Sequence, residues 1–220
     1  MKSTQLGMLA AVTFAVGMVG INFSDGTFML QNDTTPNPVG SGVGILGHIE
    51  IIHTDNEGNI LSYQQTDNTI VNDGRNCTAM LLFGYNTGCT AATPSGLGTY
   101  TVIGLGNTTN IPLASTTDLL ELPNPIDDNG LSKATGTLGT FTNATGDDGT
   151  ATQRISHTFT WNGGTANPIY NAGLFNATSG ASSTFALKNF PSIVTMNPQD
   201  QLTVNWDITI SGTADYDTAS

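Results

Sequence analysis

Few side chains in this sequence could carry out acid–base or nucleophilic chemistry. The 220 residues include three His, three Glu and five Lys or Arg. His48 and His53 are five positions apart in an apolar, strand-like segment, so they point to opposite faces and cannot hold one metal together. His157 shares a strand face with apolar residues, which favours a core or edge position over a catalytic one. The only Ser between two glycines, Ser41, lies in a linker, so nucleophilic hydrolysis has no support. We therefore predict that the protein is not an enzyme and has no catalytic residue.

Two acidic loop tips are the remaining candidates for a metal site. Asp127 and Asp128 begin one tip, and Asp147 and Asp148 begin the other. These carboxylates could contribute to a calcium site if the fold brought both tips together, because Ca²⁺ takes about six to eight oxygen ligands. Asp, Asn and Gly are also the ordinary residues of solvated turns, and this second interpretation is favoured. No cofactor is predicted, and structural calcium is the alternative.

The charge balance excludes nucleic acid as a partner. Seventeen Asp and Glu face five Lys and Arg, for a formal net charge of −12. A phosphate backbone is held by clustered Lys and Arg, which this chain does not have. The 35 Thr, 26 Gly, 21 Asn and 14 Ser provide a polar surface that depends little on charge. This composition is typical of a secreted or cell-surface β protein.

Residues 1–24 predict an export signal. Lys2 precedes an uncharged stretch whose apolar core runs from Met8 to Ile21, the order expected of a signal peptide. If the segment is not cleaved, residues 6–23 provide the chain's membrane contact, because roughly 18 residues at about 1.5 Å each only just span a bilayer core. Cleavage is favoured over a retained anchor. The protein is therefore predicted to be secreted or exposed on the cell surface.

Two further features agree with export. Cys77 and Cys89 are the two cysteines, and a disulfide between them would close a short loop worth about 3 kcal/mol in an oxidising compartment. Two unpaired thiols are the alternative. N-x-S/T sequences, some of which composition alone generates, supply glycosylation candidates at Asn32, Asn76, Asn107, Asn143 and Asn176.

Residues 25–47 are predicted to form an extended arm followed by a Pro/Gly linker. The apolar residues Phe28, Met29 and Leu30 stand between the export signal and this linker. Burying them would release roughly 1.5 to 3 kcal/mol each. We therefore expect the arm to dock as an added strand on a sheet edge of a neighbouring subunit, which would build a homo-oligomer or filament. Pairing with the chain's own sheet, or extension of a membrane anchor, is the alternative.

Residues 48–211 are predicted to form a single all-β domain, an antiparallel β-sandwich of jelly-roll or Ig-like type, and residues 212–220 a C-terminal tail. Apolar and polar residues alternate most clearly over Gln201–Ser211, which places Trp206 in the core. Asp55–Gly58 has the residues of a hairpin turn between strands predicted at His48–Thr54 and Asn59–Gln65, and Asn72–Asp73–Gly74 starts one short helix that runs to Phe83. Further strands are predicted over Tyr100–Leu105, Ala134–Asn143, Gln153–Trp161, Ile169–Phe175 and Ser183–Leu187.

The order of these segments resembles the β-sandwich modules of tail or virion proteins from phages and archaeal viruses. The resemblance lies in short structural motifs: the hairpin at Asp55–Asn59, the helix start at Thr69–Gly74, Ile103–Gly106, Thr117–Leu120, Tyr170–Phe175 and Asp200–Trp206. With the export segment, the chain also resembles secreted, archaeal-type surface filament subunits of the pilin kind. The resemblance implies a structural role with no catalytic residue. The leading hypothesis is a subunit of an extracellular filament or surface assembly, followed by a virion or tail structural protein and then by a lectin-like adhesin.

Overall fold

Strands make up most of the part of this protein that the structure describes. The computed structural model describes residues 42–83, 99–108, 122–144, 149–179 and 183–213, all within the unit Val39–Ser220. Within these ranges, the elements in chain order are β1 (Gly42–Thr54), β2 (Ile60–Asp67), β3 (Thr69–Ile70), α1 (Asn72–Leu82), β4 (Val102–Gly106), β5 (Ala134–Thr135), β6 (Thr137–Leu138), β7 (Thr150–Thr160), β8 (Asn167–Phe175), β9 (Thr184–Met196) and β10 (Gln201–Thr213).

The strands form two five-stranded antiparallel sheets. Sheet A has the order β2-β1-β10-β7-β6, and sheet B has the order β3-β9-β8-β4-β5. The first and last strands, β1 and β10, pair along their whole length, from Gly42↔Thr213 to Thr54↔Gln201. The prediction of an all-β, antiparallel protein with one short helix is confirmed.

The inner faces of the two sheets share one hydrophobic core. Sheet A contributes Ile49, Val204 and Trp206, and sheet B contributes Ile103 and Leu174; each is inaccessible to solvent. Ile49 lies opposite Trp206, which in turn lies opposite Ile155, so this row of large side chains crosses sheet A. The prediction that Trp206 belongs to the core is confirmed.

Among the residues that the structure describes, the outer face of sheet B is covered and the outer face of sheet A is not. A second apolar cluster contains Phe175 and Leu187 of the sheet together with Val71, Val102 and Leu122. Helix α1 packs against β9, where Gly74 lies so close to the backbone of Phe185 that a methyl group would collide with it. Strand β4 is consequently buried on both faces over its whole length. Sheet A carries charged and hydroxyl side chains on its outer face instead.

The β1–β2 hairpin forms where the turn residues predict it. Gly58 has a φ of 85° and its amide donates to the carbonyl of Asp55 over 3.1 Å, as in a type I turn followed by a left-handed residue. The Asp55 carboxylate accepts hydrogen bonds from the amides of Glu57 and Asn59. The side-chain amide of Asn59 also donates to this carboxylate, at 2.8 Å. The Asn59 side-chain bond above all, and the backbone bonds with it, lower the pKa of Asp55.

Two segments form other strands than the sequence predicts, because their pairing partners lie in distant parts of the chain. Ala134–Asn143 does not form one strand: Ala134–Thr135 pairs with β4 in sheet B, and Thr137–Leu138 pairs with β7 in sheet A. The chain changes sheets at Gly136, where a side chain would collide with Ile155. Strand β9 continues far beyond Leu187, through a bulge that accommodates Pro191, which has no amide hydrogen to donate.

The ends of predicted elements also differ. Gly42–Gly47, assigned to the linker, is the first half of β1, because β10 extends to Thr213 and pairs with it. Helix α1 buries Cys77, which is 2% exposed, as its spacing predicts. Phe83, assigned to the same apolar helix face, is 85% exposed. The helix ends at Leu82, so Phe83 does not continue its buried face.

Candidate functional site: the open face and free edge of sheet A

The outer face of sheet A is the surface on which polar side chains converge. Outward residues of four neighbouring strands lie side by side here because directly opposed residues of antiparallel strands point to the same face. Glu50 of β1 lies opposite Asn205 of β10, and Asp207 of β10 lies opposite Arg154 of β7. We call this surface the open face.

An ion cluster occupies the centre of the open face. Arg154 donates through Nε and Nη2 to the two carboxylate oxygens of Asp207, at 2.8 and 2.6 Å. Its Nη2 also lies 3.1 Å from Oε2 of Glu50. The hydrogen bond to Asp207, together with the negative charges of Asp207 and Glu50, raises the pKa of Arg154 even though partial burial opposes this. The two-pronged geometry fixes the guanidinium, which leaves Arg154 as a structural cation.

A row of hydrogen bonds extends from this cluster across the sheet. Ser156 Oγ donates to Asn205 Oδ1 at 2.6 Å, and Asn205 Nδ2 donates to Glu50 Oε2 at 3.2 Å. The Tyr63 hydroxyl of β2 lies 3.3 Å from Glu50 Oε1 and 3.1 Å from Gln65 Oε1. Partial burial and the charge of Glu50 raise the pKa of Tyr63, so its hydroxyl stays a donor at neutral pH. The row therefore joins all four strands and holds β2 flat against β1.

Within the described part of the chain, strand β2 forms a long free edge of sheet A. It has eight residues, whereas the other terminal strands, β6, β3 and β5, have two residues each. Among the described residues, backbone hydrogen bonds join β2 only to β1. Sheet edges in proteins are ordinarily blocked by Lys, by Pro or by short length. The charged residue of β2 is Asp67 at one end, and a bulge lies beside Ile60 at the other. Residues 62–66 between them have no charge, Pro or bulge to block the edge.

The hydrogen-bond pattern shows which backbone groups of β2 point outward. The Asn68 amide donates to the Gly47 carbonyl at 2.9 Å, so this opposed pair is of the hydrogen-bonded kind. Hydrogen-bonded and non-bonded pairs alternate along an antiparallel ladder. The N–H and C=O groups of Tyr63, Gln65 and Asp67 therefore point away from β1. These three residues also have exposed side chains.

An apolar corner adjoins the hairpin end of this edge. Ile60, Leu61 and Tyr63 are 66, 52 and 46% exposed. Tyr63 lies opposite Ile52 on the open face, and a register shift beside Ile60 places Leu61 in a bulge. Ile193 of β9, 55% exposed, follows Ser192, whose amide donates to Gln64 Oε1 of β2 at 2.8 Å. Apolar side chains are thus available on both sides of the free edge.

The histidines occupy the faces that their spacing predicts. His48 points outward, with its Nδ1 3.0 Å from Asp67 Oδ1, and His53 points inward and is 6% exposed. His53 Nε2 lies 3.0 Å from Oδ2 of buried Asp200, which also accepts the Asn197 amide at 2.7 Å. The pair joins residues 147 positions apart and holds the β9–β10 turn to β1. This bond between two distant segments gives the pair a structural role.

The structure places one half of the proposed calcium site. Asp127 and Asp128 are exposed, and Asp128 Oδ2 accepts a hydrogen bond from Asn129 Nδ2 at 2.9 Å within the turn. Asp147 and Asp148 lie outside the described residues. Across the described ranges, no three His, Cys, Asp or Glu side chains come close enough together to hold a metal ion. Two solvated turns stay the prediction, and a calcium site shared by the two acidic tips stays its untested alternative.

The modification sites are located in part. Cys77 is buried in α1, whereas Cys89 lies outside the described residues, so the disulfide stays a prediction. The sequon residues Asn76, Asn107 and Asn143 are exposed. Asn176 is 7% exposed, and its Oδ1 accepts the Ser183 amide at 2.8 Å. Glycosylation therefore has accessible acceptors at the first three positions.

The N-terminal predictions lie outside the described residues. These are the export signal at residues 1–24, glycosylation at Asn32, and the arm residues Phe28, Met29 and Leu30. Within the described ranges, no helix has the length and apolar character needed to cross a membrane.

The sequence shows the strand that becomes the free edge but not its position in the sheet. Asn59–Gln65 is predicted as a hairpin strand, and Tyr63 and Gln65 fall within it. Arg154 and Asp207 stand at polar positions of alternating strands, a signal that indicates outward side chains. Nothing in the two separate strands indicates that these residues meet, because the register between β7 and β10 decides it.

Comparison with protein-family models, with curated proteins and with solved structures found no match to this chain.

Proposed function

We propose that this protein is a non-enzymatic structural subunit of an extracellular filament or cell-surface assembly. The observation that carries the proposal is the free edge β2, an eight-residue terminal strand without Lys or Pro. An unprotected edge of this length is a template for pairing with another chain. Such an edge suits a protein whose role includes pairing with another chain.

The open face supports a structural role. Its charged groups bind one another: Arg154 is held by Asp207 and Glu50, and Glu50 also accepts from Asn205. A site for acid–base chemistry needs a titratable group aimed at a substrate, whereas these groups are aimed at their neighbours across the sheet. The network thereby stiffens the sheet that presents the free edge.

The finer fold class belongs to the same proposal. We propose a β-sandwich, and of the two types considered, the jelly-roll type is favoured over the Ig-like type. In Ig domains the first and last strands lie in opposite sheets. Here β1 and β10 are antiparallel neighbours in one sheet. The start of β1 and the end of β10 thus lie side by side in sheet A, the sheet that carries the edge proposed for assembly.

A Pro substitution on the free edge tests the proposal. Because the Gln65 amide points away from β1, Gln65→Pro removes a donor from the edge and leaves the β1–β2 ladder intact. Gln65→Thr keeps the amide and serves as the matched control. We expect Gln65→Thr to melt within about 2 °C of the parent as a monomer, since exposed surface changes cost about 0.5 kcal/mol or less. Gln65→Pro fixes φ near −65° within a strand, so it should melt lower than the parent but remain a folded monomer, which circular dichroism checks before assembly is compared.

Assembly of the two variants is then compared by sedimentation and electron microscopy. Gln65→Pro should remain monomeric under conditions in which the parent and Gln65→Thr form filaments. Particles in place of filaments would favour the virion alternative. If the parent protein stays monomeric at all concentrations, or if Gln65→Pro assembles as well as the parent, the proposed role of this edge is wrong.

A further inference from the structure

The free edge needs an occupant, and the chain itself carries a suitable one. We infer that the arm segment Thr27–Leu30 of one copy pairs with β2 of a second copy, antiparallel to it, as a sixth strand added to the five described strands of sheet A. This inference rests on the proposed function and names the partner of the same edge. A contact of this kind uses different surfaces on the two copies and therefore continues into an open filament.

The chemistry of the two segments is complementary. Thr27–Asn32 is a six-residue run without charge or Pro, whose side chains would alternate with Phe28 and Leu30 on one face and Met29 on the other. The edge exposes Ile60 and Tyr63 on the side of the open face and Ile193 on the other side. Both sides of an added strand thus find apolar surface, while its backbone pairs with the outward groups of Tyr63 and Gln65.

The reach of the linker favours a second copy over the same chain. Asp67 lies opposite His48, so β1 starts six residues, about 20 Å, beyond the end of β2. An arm antiparallel to β2 of its own chain runs in the same direction as β1. If it paired with Gln65 and Tyr63, it would end near the level of Ile52, which lies about 33 Å from Gly42. Residues 31–41 would then be close to their full reach of about 40 Å, despite three Pro and Gly residues at positions 36, 38 and 40.

Pairing within one chain is therefore easier in the parallel orientation. Every pair of adjacent strands in both described sheets is antiparallel. Sheets that are purely of one kind are over-represented, so a parallel strand added here is disfavoured. A second copy can approach the edge from the opposite direction and meets no such limit.

A complementation experiment tests the inference. The donor is the full chain with Gln65→Pro, which keeps its arm and loses its acceptor edge. The acceptor is the chain with residues 25–36 deleted, which keeps its edge and loses its arm. We expect each to be monomeric alone and the mixture to form a 1:1 heterodimer that grows no further. A peptide of residues 25–33 should displace the donor, and a scrambled peptide of the same composition should not.

The strength of the contact gives a second measurement. Substituting Met29→Asp should raise the concentration needed for assembly of the full chain at least about tenfold, which corresponds to about 1.4 kcal/mol. Asn32→Asp, at the end of the uncharged run Thr27–Asn32, is the matched charge control and should raise the concentration needed for assembly less than Met29→Asp does. Hydrogen exchange should show new protection at residues 61–67 of the acceptor on mixing.

The outcomes separate this inference from the proposed function. If Gln65→Pro abolishes assembly but the 25–36 deletion does not, the edge assembles through another partner strand, and the inference is wrong while the proposed function stands. If the deletion variant no longer folds as a monomer, the arm belongs to its own domain and the inference is overturned. If neither change affects assembly, both are wrong.

Discussion

The two tryptophans provide a sharp test of the core. Both are buried, and among the described residues only the ring N–H of Trp161 has a hydrogen-bond partner. Trp161 Nε1 donates to the Thr165 carbonyl at 2.7 Å. Trp206 is inaccessible to solvent, and its Nε1 is buried without a partner in the described part of the protein. The perturbation is the same for both, replacement by Phe.

The expected magnitudes follow from these two environments. Aromatic side chains bury about 150 to 250 Å² each, so Trp to Phe removes on the order of 40 Å², worth about 1 kcal/mol at roughly 25 cal/mol per Å². At Trp161 the lost hydrogen bond adds about 1 kcal/mol, for a total cost of about 2 kcal/mol. At Trp206 the substitution also removes an unpaired buried donor, which recovers about 1 to 3 kcal/mol. Trp206→Phe should therefore leave stability unchanged or raise it by up to about 2 kcal/mol.

Urea denaturation followed by fluorescence and by circular dichroism measures both values. The chain has two Trp, so each Phe variant retains one fluorescent reporter. The melting temperatures should differ by roughly 4 to 16 °C between the two variants, at about 2 to 4 °C per kcal/mol for a chain of this size. Trp206→Ala should cost about 3 to 5 kcal/mol and establishes that the site is a packed core position. If Trp206→Phe destabilises as much as Trp161→Phe, the Trp206 N–H is hydrogen-bonded, and the reasoning is refuted.

Three further outcomes are expected. His53→Phe should lower the free energy of unfolding by about 3 to 5 kcal/mol in urea denaturation, because the buried Asp200 carboxylate loses its His53 partner. The double variant with Asp200→Leu should recover part of that loss. Gly58 has a φ of 85° and open space around it, so Gly58→Ala should cost about 1 to 2 kcal/mol of stability. Gly130 has a φ of 88° and lies against a backbone carbonyl of β7, so Gly130→Ala should cost clearly more. Equal costs would mean that the β7 contact is absent. Burial lowers the pKa of His157 from its ordinary 6.5, so the unfolded chain takes up the proton first and stability should fall as pH drops below about 6.5. His157→Gln should flatten that fall in melts recorded from pH 7 to pH 5, and an unchanged slope would contradict it.

The sequence by itself determined the local features of this protein. Alternation over Gln201–Ser211 is a property of consecutive residues, and it places Trp206 and Val204 inward as observed. The hairpin at Asp55–Gly58 and the start of α1 at Asn72 depend on residues within a few positions of each other. The opposite faces of His48 and His53 follow from the two-residue period of a strand. Such features need no knowledge of the distant chain.

Only the tertiary structure decided which strands are neighbours. The pairing of Arg154 with Asp207 joins residues 53 positions apart, and the His53–Asp200 pair joins residues 147 apart. The change of sheets at Gly136 and the cover over the outer face of sheet B likewise depend on contacts between distant segments. The free edge belongs to the same class: Asn59–Gln65 is predictable as a strand, but its terminal position exists only after β1 has paired with β10. Side-chain period is set by consecutive residues, whereas register and strand order are set by packing between segments that the sequence keeps far apart.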